Sequence, residues 1–211
     1  MKVVIESQAP IIQELERCVQ WAYKQFAGDR VDLPAVTVSI QTRGKKHTVC
    51  GSFKSEGFHT KEGAPIHEII ITAEHLFEDP YKVLGTVVHE AVHLFNHDLG
   101  EKDNSAGERH NETFKDQALQ WGLEVADPID SKGYAYTQVS PKLQKLLETK
   151  FKPDEAVFRI FKEQAEVKPK KPVVKKIRPW VCDCPVTLQV AVGVELKAQC
   201  QLCDSDFRLK E

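Results

Sequence analysis

The sequence predicts an α+β fold: a small, mainly antiparallel sheet packed against helices, followed by a small cysteine-rich module. Three observations predict it. Short runs that alternate apolar and polar residues lie between about residues 34 and 72, and a long apolar run with helical spacing spans Val83 to Leu99. Four of the six cysteines crowd into the last thirty or so residues.

In chain order, Leu15, Cys18, Val19, Ala22 and Phe26 share one face of a helix expected from about Ile11 to Phe26, stopped by Gly28. Pro34 to Ile40 follows as a strand with Val36, Val38 and Ile40 on one side. After the turn Arg43-Gly44-Lys45-Lys46, His47 to Phe53 reads as a second strand, Ser55 to Gly63 as a loop beside a cleft, and Ile66 to Thr72 as a third strand. An edge strand near that loop suits pairing with an extended peptide.

Asp79-Pro80 then supplies an N-cap and a first-turn proline, and Gly100 a stop. Between them Leu84, Val87, Val88, Ala91, Val92 and Phe95 make the helix largely buried. Into this helix the sequence sets His89-Glu90-Ala91-Val92-His93. Desolvating two imidazoles and a carboxylate costs roughly several kcal/mol unless something compensates. A metal ion compensates, because histidines four apart on a helix project from one face and grip one ion, with the glutamate beside them within reach of a water.

A catalytic zinc site takes three protein ligands and leaves the fourth position open. His97 is the nearest further candidate, but successive steps of four drift about 40° around a straight helix, so it is poorly aimed and reads as a polar-face residue. Ser105-Ala106-Gly107-Glu108 looks like a capping box for a second helix carrying Phe114, Ala118 and Trp121 and ending at Gly122. On it His110 is the better candidate, Glu112 a competitor and Glu108 a weaker one. Ser140-Pro141 opens another helix with Leu143, Leu146 and Leu147, and Pro153-Asp154 a last one with Val157, Ile160 and Phe161.

Lys168 to Arg178 holds six basic residues, no acidic one, and prolines at 169 and 172. Like charge and proline keep such a segment extended, so it reads as a linker, and Lys168, Lys170, Lys171, Lys175, Lys176 and Arg178 are candidate phosphate contacts. Beyond it stand Cys182-Asp183-Cys184 and Cys200-Gln201-Leu202-Cys203, separated by a strand-like Val186 to Val192 and a turn near Gly193. Two thiolate pairs at that distance outline a structural zinc site of ribbon type, with C-x-C in place of the usual C-x2-C as the first pair. A unit of about 30 residues cannot stabilise itself by core alone, which is why a metal is expected there. Trp180 and Phe207 are apt to pack on the ribbon, with stacking on nucleic-acid bases the alternative role. Cys18 and Cys50 read as buried free thiols, and His47, His59, His67 and His75 as surface or structural residues.

The pattern His89-Glu90-x-x-His93, followed by Arg109-His110-Asn111-x-x-Phe114, resembles the SprT-like metallopeptidase family, whose best-known animal relative is Spartan. Further likeness lies in Glu68-Ile69-Ile70-Ile71-Thr72-Ala73-Glu74, in Gly133-Tyr134-Ala135-Tyr136-Thr137 and in the cysteine-rich end, so it covers about residues 10 to 210. Asn111 stands where many relatives have glycine. The resemblance implies zincin-type metal-binding helices, His89, His93 and His110 as zinc ligands, Glu90 as general acid/base, and substrates among proteins bound or crosslinked to DNA. Tyr134 or Tyr136 is a candidate donor to the oxyanion. A non-catalytic, zinc-stabilised binding module, its metal closed by a fourth ligand such as Glu112, is the competing reading.

Composition sets the frame. With 211 residues, 41% hydrophobic and 28% charged, the chain suits one main domain plus a small module: a metallopeptidase domain at 1–165, a linker at 166–179 and the ribbon at 180–211. The net charge of −2 is uneven: residues 166–211 carry 9 basic and 6 acidic groups, the rest 20 and 25. DNA affinity is therefore expected of the C-terminal part. No apolar stretch reaches a membrane span, and the start, Met1 to Glu6, lacks a signal-peptide pattern, so a cytoplasmic protein is expected, with association with the nucleoid or DNA as its alternative setting.

Overall fold

A computed structural model describes residues 6–28, 32–44, 48–105, 109–129, 131–164 and 177–210. The chain divides into two compact units, Met1–Glu166 and Val167–Glu211.

In the first unit, α1 (Ala9–Ala22) forms where Ile11, Leu15, Cys18, Val19 and Ala22 recur at helical spacing, all of them buried. Pro10 sits in its first turn, and the helix runs on through a wider turn at Tyr23–Ala27 before Gly28 turns the chain at φ +81°. Three strands follow, β1 (Val36–Gln41), β2 (Gly51–His59) and β3 (Pro65–Thr72), in the spatial order β1-β3-β2. Their inner faces, Val38 with Ile69 and Ile71, join the core.

This sheet departs from expectation in two ways. β1 runs parallel to β3, and only the β2–β3 pair is antiparallel. Alternation in a sequence sets which face is buried and leaves open which strand lies beside which, or in what direction. β2 also begins at Gly51 and continues to His59, through most of the segment expected to be a loop. A bulge between Lys54 and Phe58, with Glu56 at φ +52°, absorbs the polar, glycine-containing residues that read as loop. Of the expected His47–Phe53 strand, His47 lies outside the described residues.

The buried helix, α2 (Pro80–Asp98), matches its punctuation. The Asp79 side chain accepts the Tyr81 N–H at 2.9 Å, and Gly100 follows Leu99 at φ +73°. Leu84, Val87, Val88, Ala91 and Val92 are buried without residue. A short pair, β4 (Asn104–Ser105) with β5 (Arg109–His110), precedes α3 (Glu112–Gln120).

Here the expectation of a helix beginning at a Ser105 capping box is corrected. Ser105 lies in β4, residues 106–108 fall outside the described residues, and the cap is Asn111, whose Oδ1 accepts the Phe114 N–H at 3.2 Å. His110 is therefore on a strand just before the helix. Asparagine is as good a cap as serine, and its place immediately ahead of Glu112-Thr113-Phe114 satisfies the first turn directly.

A hairpin of β6 (Leu123–Val125) and β7 (Thr137–Val139) then leads to α4 (Pro141–Leu146), capped by Ser140. Gly85 of α2 lets this hairpin approach: a Cβ there would overlap Val139. The helix expected after Pro153 is reduced to one 3-10 turn, Glu155–Val157. The chain there is held from outside, since Asp154 N–H donates to Glu14 Oε1 at 2.9 Å and Lys162 N–H to the Ala73 carbonyl at 3.0 Å. These bonds take the place of helical ones, and Phe161 is left exposed.

The second unit is a three-stranded antiparallel sheet, β8 (Ile177–Val181), β9 (Thr187–Ala191) and β10 (Arg208–Leu209), ordered β10-β8-β9. Ile177, Arg178 and Pro179, expected in the linker, pair with Ala191, Val190 and Gln189, so the module starts earlier than residue 180. Cross-strand pairing outweighs the basic, proline-containing character of the segment. Among the described residues no helix is long and apolar enough to cross a membrane.

Candidate metal centre

Three imidazoles converge in the first unit. His89 and His93 come from α2 and His110 from β5, with Nε2 of His110 at 3.2 Å from that of His89 and 3.0 Å from that of His93. Nitrogens bound to one tetrahedral ion at about 2.0–2.1 Å stand roughly 3.3 Å apart, so the trio fits a single metal. Three lone pairs aimed at one point would repel one another without a cation between them. Desolvation, with His93 and His110 close by, holds the His89 imidazole well below its ordinary pKa, as ligation of a neutral ring requires.

The rings are held from behind. His93 Nδ1 bonds Asp103 Oδ2 at 2.6 Å and His89 Nδ1 bonds Thr137 Oγ1 at 2.9 Å, so both rings are held through Nδ1 with Nε2 facing inward, and the carboxylate, which can only accept, keeps His93 as its Nδ1–H tautomer. Asn96 Nδ2 adds a bond to Asp103 at 3.1 Å. Burial alone would raise the Asp103 carboxyl, but hydrogen bonds from His93 and Asn96 outweigh it and hold the group below the usual range. Phe114 lies against all three imidazoles, at 4.5–4.6 Å between ring centroids.

His110 reaches the trio because Gly133 lets two backbone segments touch. His110 forms a bridge with Gly133, and Tyr134 N–H donates to the His110 carbonyl at 3.2 Å. Gly133 has φ +60°, and a Cβ there would overlap that carbonyl oxygen.

Glu90 is buried next to the trio and is not one of it. Burial pushes its carboxyl up to about 7, against the pull of His93 and of the Phe53 backbone N–H. A Cβ at Gly51 would come within 2.8 Å of Glu90 Oε1, so β2 borders this carboxylate at its barest residue. A carboxyl that titrates near neutrality can accept a proton and return it.

The competing ligands stand elsewhere. Glu112 is exposed, with its carboxylate on Lys115 Nζ at 2.8 Å and on the Tyr134 hydroxyl. His97 is exposed in the last turn of α2, against His67 and Phe53. Glu108 lies outside the described residues. Tyr134 has its hydroxyl on Glu112, and Tyr136 is exposed. Cys18 is fully buried as expected, whereas Cys50 is half-buried just before β2, with its Sγ 3.7 Å from the His75 ring.

Sequence reasoning missed Asp103, Asn96 and a role for Thr137. Asn96 is three residues beyond His93, on the same helix face, which is a detectable signal. Asp103 lies in irregular chain, where no periodicity points to it.

In the second unit Cys182, Cys184, Cys200 and Cys203 bring their sulfurs together within 4.8 Å. Cys184 Sγ lies 3.3 Å from that of Cys182 and 3.7 Å from that of Cys200, near the roughly 3.8 Å expected about one tetrahedral ion at 2.3 Å. The C-x-C pair thus contributes both thiols. Ser205 shapes the knuckle: its hydroxyl accepts the Asp183 N–H at 3.0 Å and its carbonyl the Cys200 N–H at 2.9 Å. Hydrogen bonds to Ser205 bring the Cys203 thiol down to about 6, while desolvation and Cys184 push Cys182 up to about 12. Phe207 and Trp180 pack on the cluster, which is the structural role expected of them. Of the candidate phosphate contacts, Arg178 is exposed on β8, and Lys168, Lys170, Lys171, Lys175 and Lys176 lie outside the described residues.

The described residues thus hold two groups fit for a metal ion, one of three imidazoles and one of four thiols. Comparison with protein-family models, with curated proteins and with solved structures gives no match.

Proposed function

We propose that the chain is a zinc-dependent endopeptidase of SprT-like type, with its histidine centre in a zincin-like packing of α2 against the β5–α3 segment and a structural zinc in the C-terminal ribbon. The observation that carries the reading is the set of three inward Nε2 atoms beside a buried carboxylate that is not a ligand. A purely structural site needs a fourth protein ligand and has no use for such a carboxylate. Glu112, the residue best suited to close the site, is engaged by Lys115 and Tyr134.

When bound, zinc supplies Lewis-acid chemistry, polarising a carbonyl and making a nearby water more acidic. The chain does the rest. Thr137 and Asp103 keep His89 and His93 aimed inward. Glu90, buried beside the three Nε2 atoms without being one of the ligands, takes the proton of the attacking water and hands it to the leaving amine. Gly51, with no Cβ, lets β2 pack closely against that carboxylate. The basic segment after residue 166 and the ribbon supply DNA contact, which directs cleavage to DNA-associated proteins.

Glu90→Gln tests the reading. Casein cleavage is expected to fall by about 10²–10⁴-fold, with metal content and fold unchanged. Unaltered cleavage by the variant, or no cleavage by the wild type with or without DNA, leaves the non-catalytic binding module as the better account.

A further inference from the structure

Between α2 and α3 the chain passes through Lys102 and Asp103, and Asp103 touches both halves of the histidine centre by different atoms. Its carboxylate takes His93 Nδ1 at 2.6 Å, with Asn96 Nδ2 beside it at 3.1 Å. Its carbonyl takes the N–H of Asn111, the residue next to His110, at 3.0 Å. Asn111 returns the grip through Nδ2 to the Lys102 carbonyl at 2.7 Å, while its Oδ1 caps α3. The adjoining Asn104 pairs directly with His110 in the β4–β5 ladder. Asp103 is itself buried, so the carboxylate is sheltered from competing water.

We propose that Asp103 is a positioning residue of the metal centre, its carboxylate orienting His93 from a segment whose main chain also holds the residue next to His110. The inference rests on reading the three histidines as a metal centre, and it goes beyond that reading by naming what assembles the centre. Two ligands of the trio come from one helix and need no assembly. The third arrives on a two-residue strand, which is held on one side by Lys132 and Tyr134 about Gly133 and on the other by the Asp103 carbonyl through the neighbouring Asn111. Asp103 joins the two parts. The carboxylate also holds the Nδ1 proton, which leaves Nε2 of His93 as the lone-pair atom and raises its basicity. Thr137 orients the His89 ring but does neither of these things, since a neutral hydroxyl both donates and accepts and adds little basicity.

The test uses the full chain stripped of metal and titrated with cobalt(II). A thiolate-to-cobalt charge-transfer band marks the cysteine site, and a second equivalent without that band marks the histidine site. Asp103→Ala removes the carboxylate and keeps the main-chain contact. It is expected to weaken the second equivalent by about 10–100-fold with the cysteine band unchanged. Asp103→Asn keeps the shape and one acceptor oxygen, so a smaller loss is expected, and it serves if the alanine variant does not fold. A metal-free readout accompanies both: the His93 Nδ1–H proton resonance, far downfield against a carboxylate, is expected to move upfield in Asp103→Asn. A role confined to holding the loop would leave that resonance in place. Cobalt affinity within twofold of wild type in both variants, with the resonance unmoved, overturns the inference alone. A wild type that takes cobalt only at the cysteine site overturns it together with the peptidase reading.

Discussion

The histidine trio and the cysteine quartet meet the same chemical demand, several donor atoms around one cation, from opposite directions. The trio draws on residues 89, 93 and 110, inside a unit whose core holds α1, α2, α3 and the inner face of the sheet. Its imidazoles are aimed by Asp103 and Thr137, which belong to the protein whether or not an ion is present. The quartet lies within 22 residues, in a unit whose buried core is Cys182, Cys200 and Phe207, so most of that core is the ligand set itself. In the first case the fold holds the ligands. In the second the ligands are most of what there is to hold the fold, and a unit this small needs such a staple.

Removing metal from the whole chain is the widest separation of the two and carries the largest expected effect. A strong chelator should unfold the second unit, since structural zinc contributes roughly 10–16 kcal/mol of binding energy to small domains. The first unit should keep its amide signals and lose only the ion. Backbone NMR spectra with and without chelator report the two units separately. If β8 and β9 keep their amide dispersion after chelation, the ribbon does not depend on metal and the contrast fails.

Next in size is Gly133→Ala, which strikes the first centre through its backbone. An alanine at φ +60° with its Cβ against the His110 carbonyl should cost roughly 2–5 kcal/mol. The strand carrying His110 must then shift, so metal at the histidine site should be lost while the cysteine site stays loaded. Zinc content and a urea midpoint measured together check both parts. A variant of normal stability with two zinc ions would show that the His110–Gly133 approach is not what positions the third ligand.

The smallest expected effect concerns acid. Glu74 is fully buried, and although burial raises a carboxyl, backbone N–H groups of Arg43, Gly44 and Glu74 itself bring its pKa below the ordinary value. A depressed folded-state pKa stabilises the protein above the unfolded carboxylate range, and the contribution is lost as pH falls through the folded value. The stability difference between wild type and Glu74→Gln should thus be present at neutral pH and shrink on acidification below the usual carboxylate range. Urea midpoints across that range measure it. A difference that grows as pH falls would reverse the assignment. In the second unit acid is expected to act through the thiolates instead, by competing with a metal held there.

The parts of this fold that could be read in advance are those whose causes are local. Asp79-Pro80 and Gly100 bounded α2 to within a residue or two, because a cap and a stop act on their own turn. The Cys182–Cys203 pattern likewise brought together the four thiols it named. Where a distant partner decided, the reading slipped. The polar run Ser55 to His59 became strand because β3 was there to pair with, and the segment after Pro153 lost its helix to bonds from Glu14 and Ala73. His110 was a candidate of the expected second helix, chosen over Glu112 and Glu108 by a family resemblance, and the structure has it on β5 with Asn111 as the cap.

By itself the sequence determined that His89 and His93 share a helix face with Glu90 beside them, since 3.6 residues per turn leaves no other arrangement once α2 forms. It determined that Cys182 lies near Cys184 and Cys200 near Cys203 for the similar reason that short spacings restrict reach, whereas the pairing of β8 with β9 and β10 joins the two pairs into one cluster. Only the tertiary structure decided that β1 lies parallel to β3, that Glu112 turns to Lys115 and Tyr134, and that Asp103 stands behind His93. Those choices depend on which segments pack together, and packing is settled by the summed burial of the whole core rather than by any residue's neighbours in the chain.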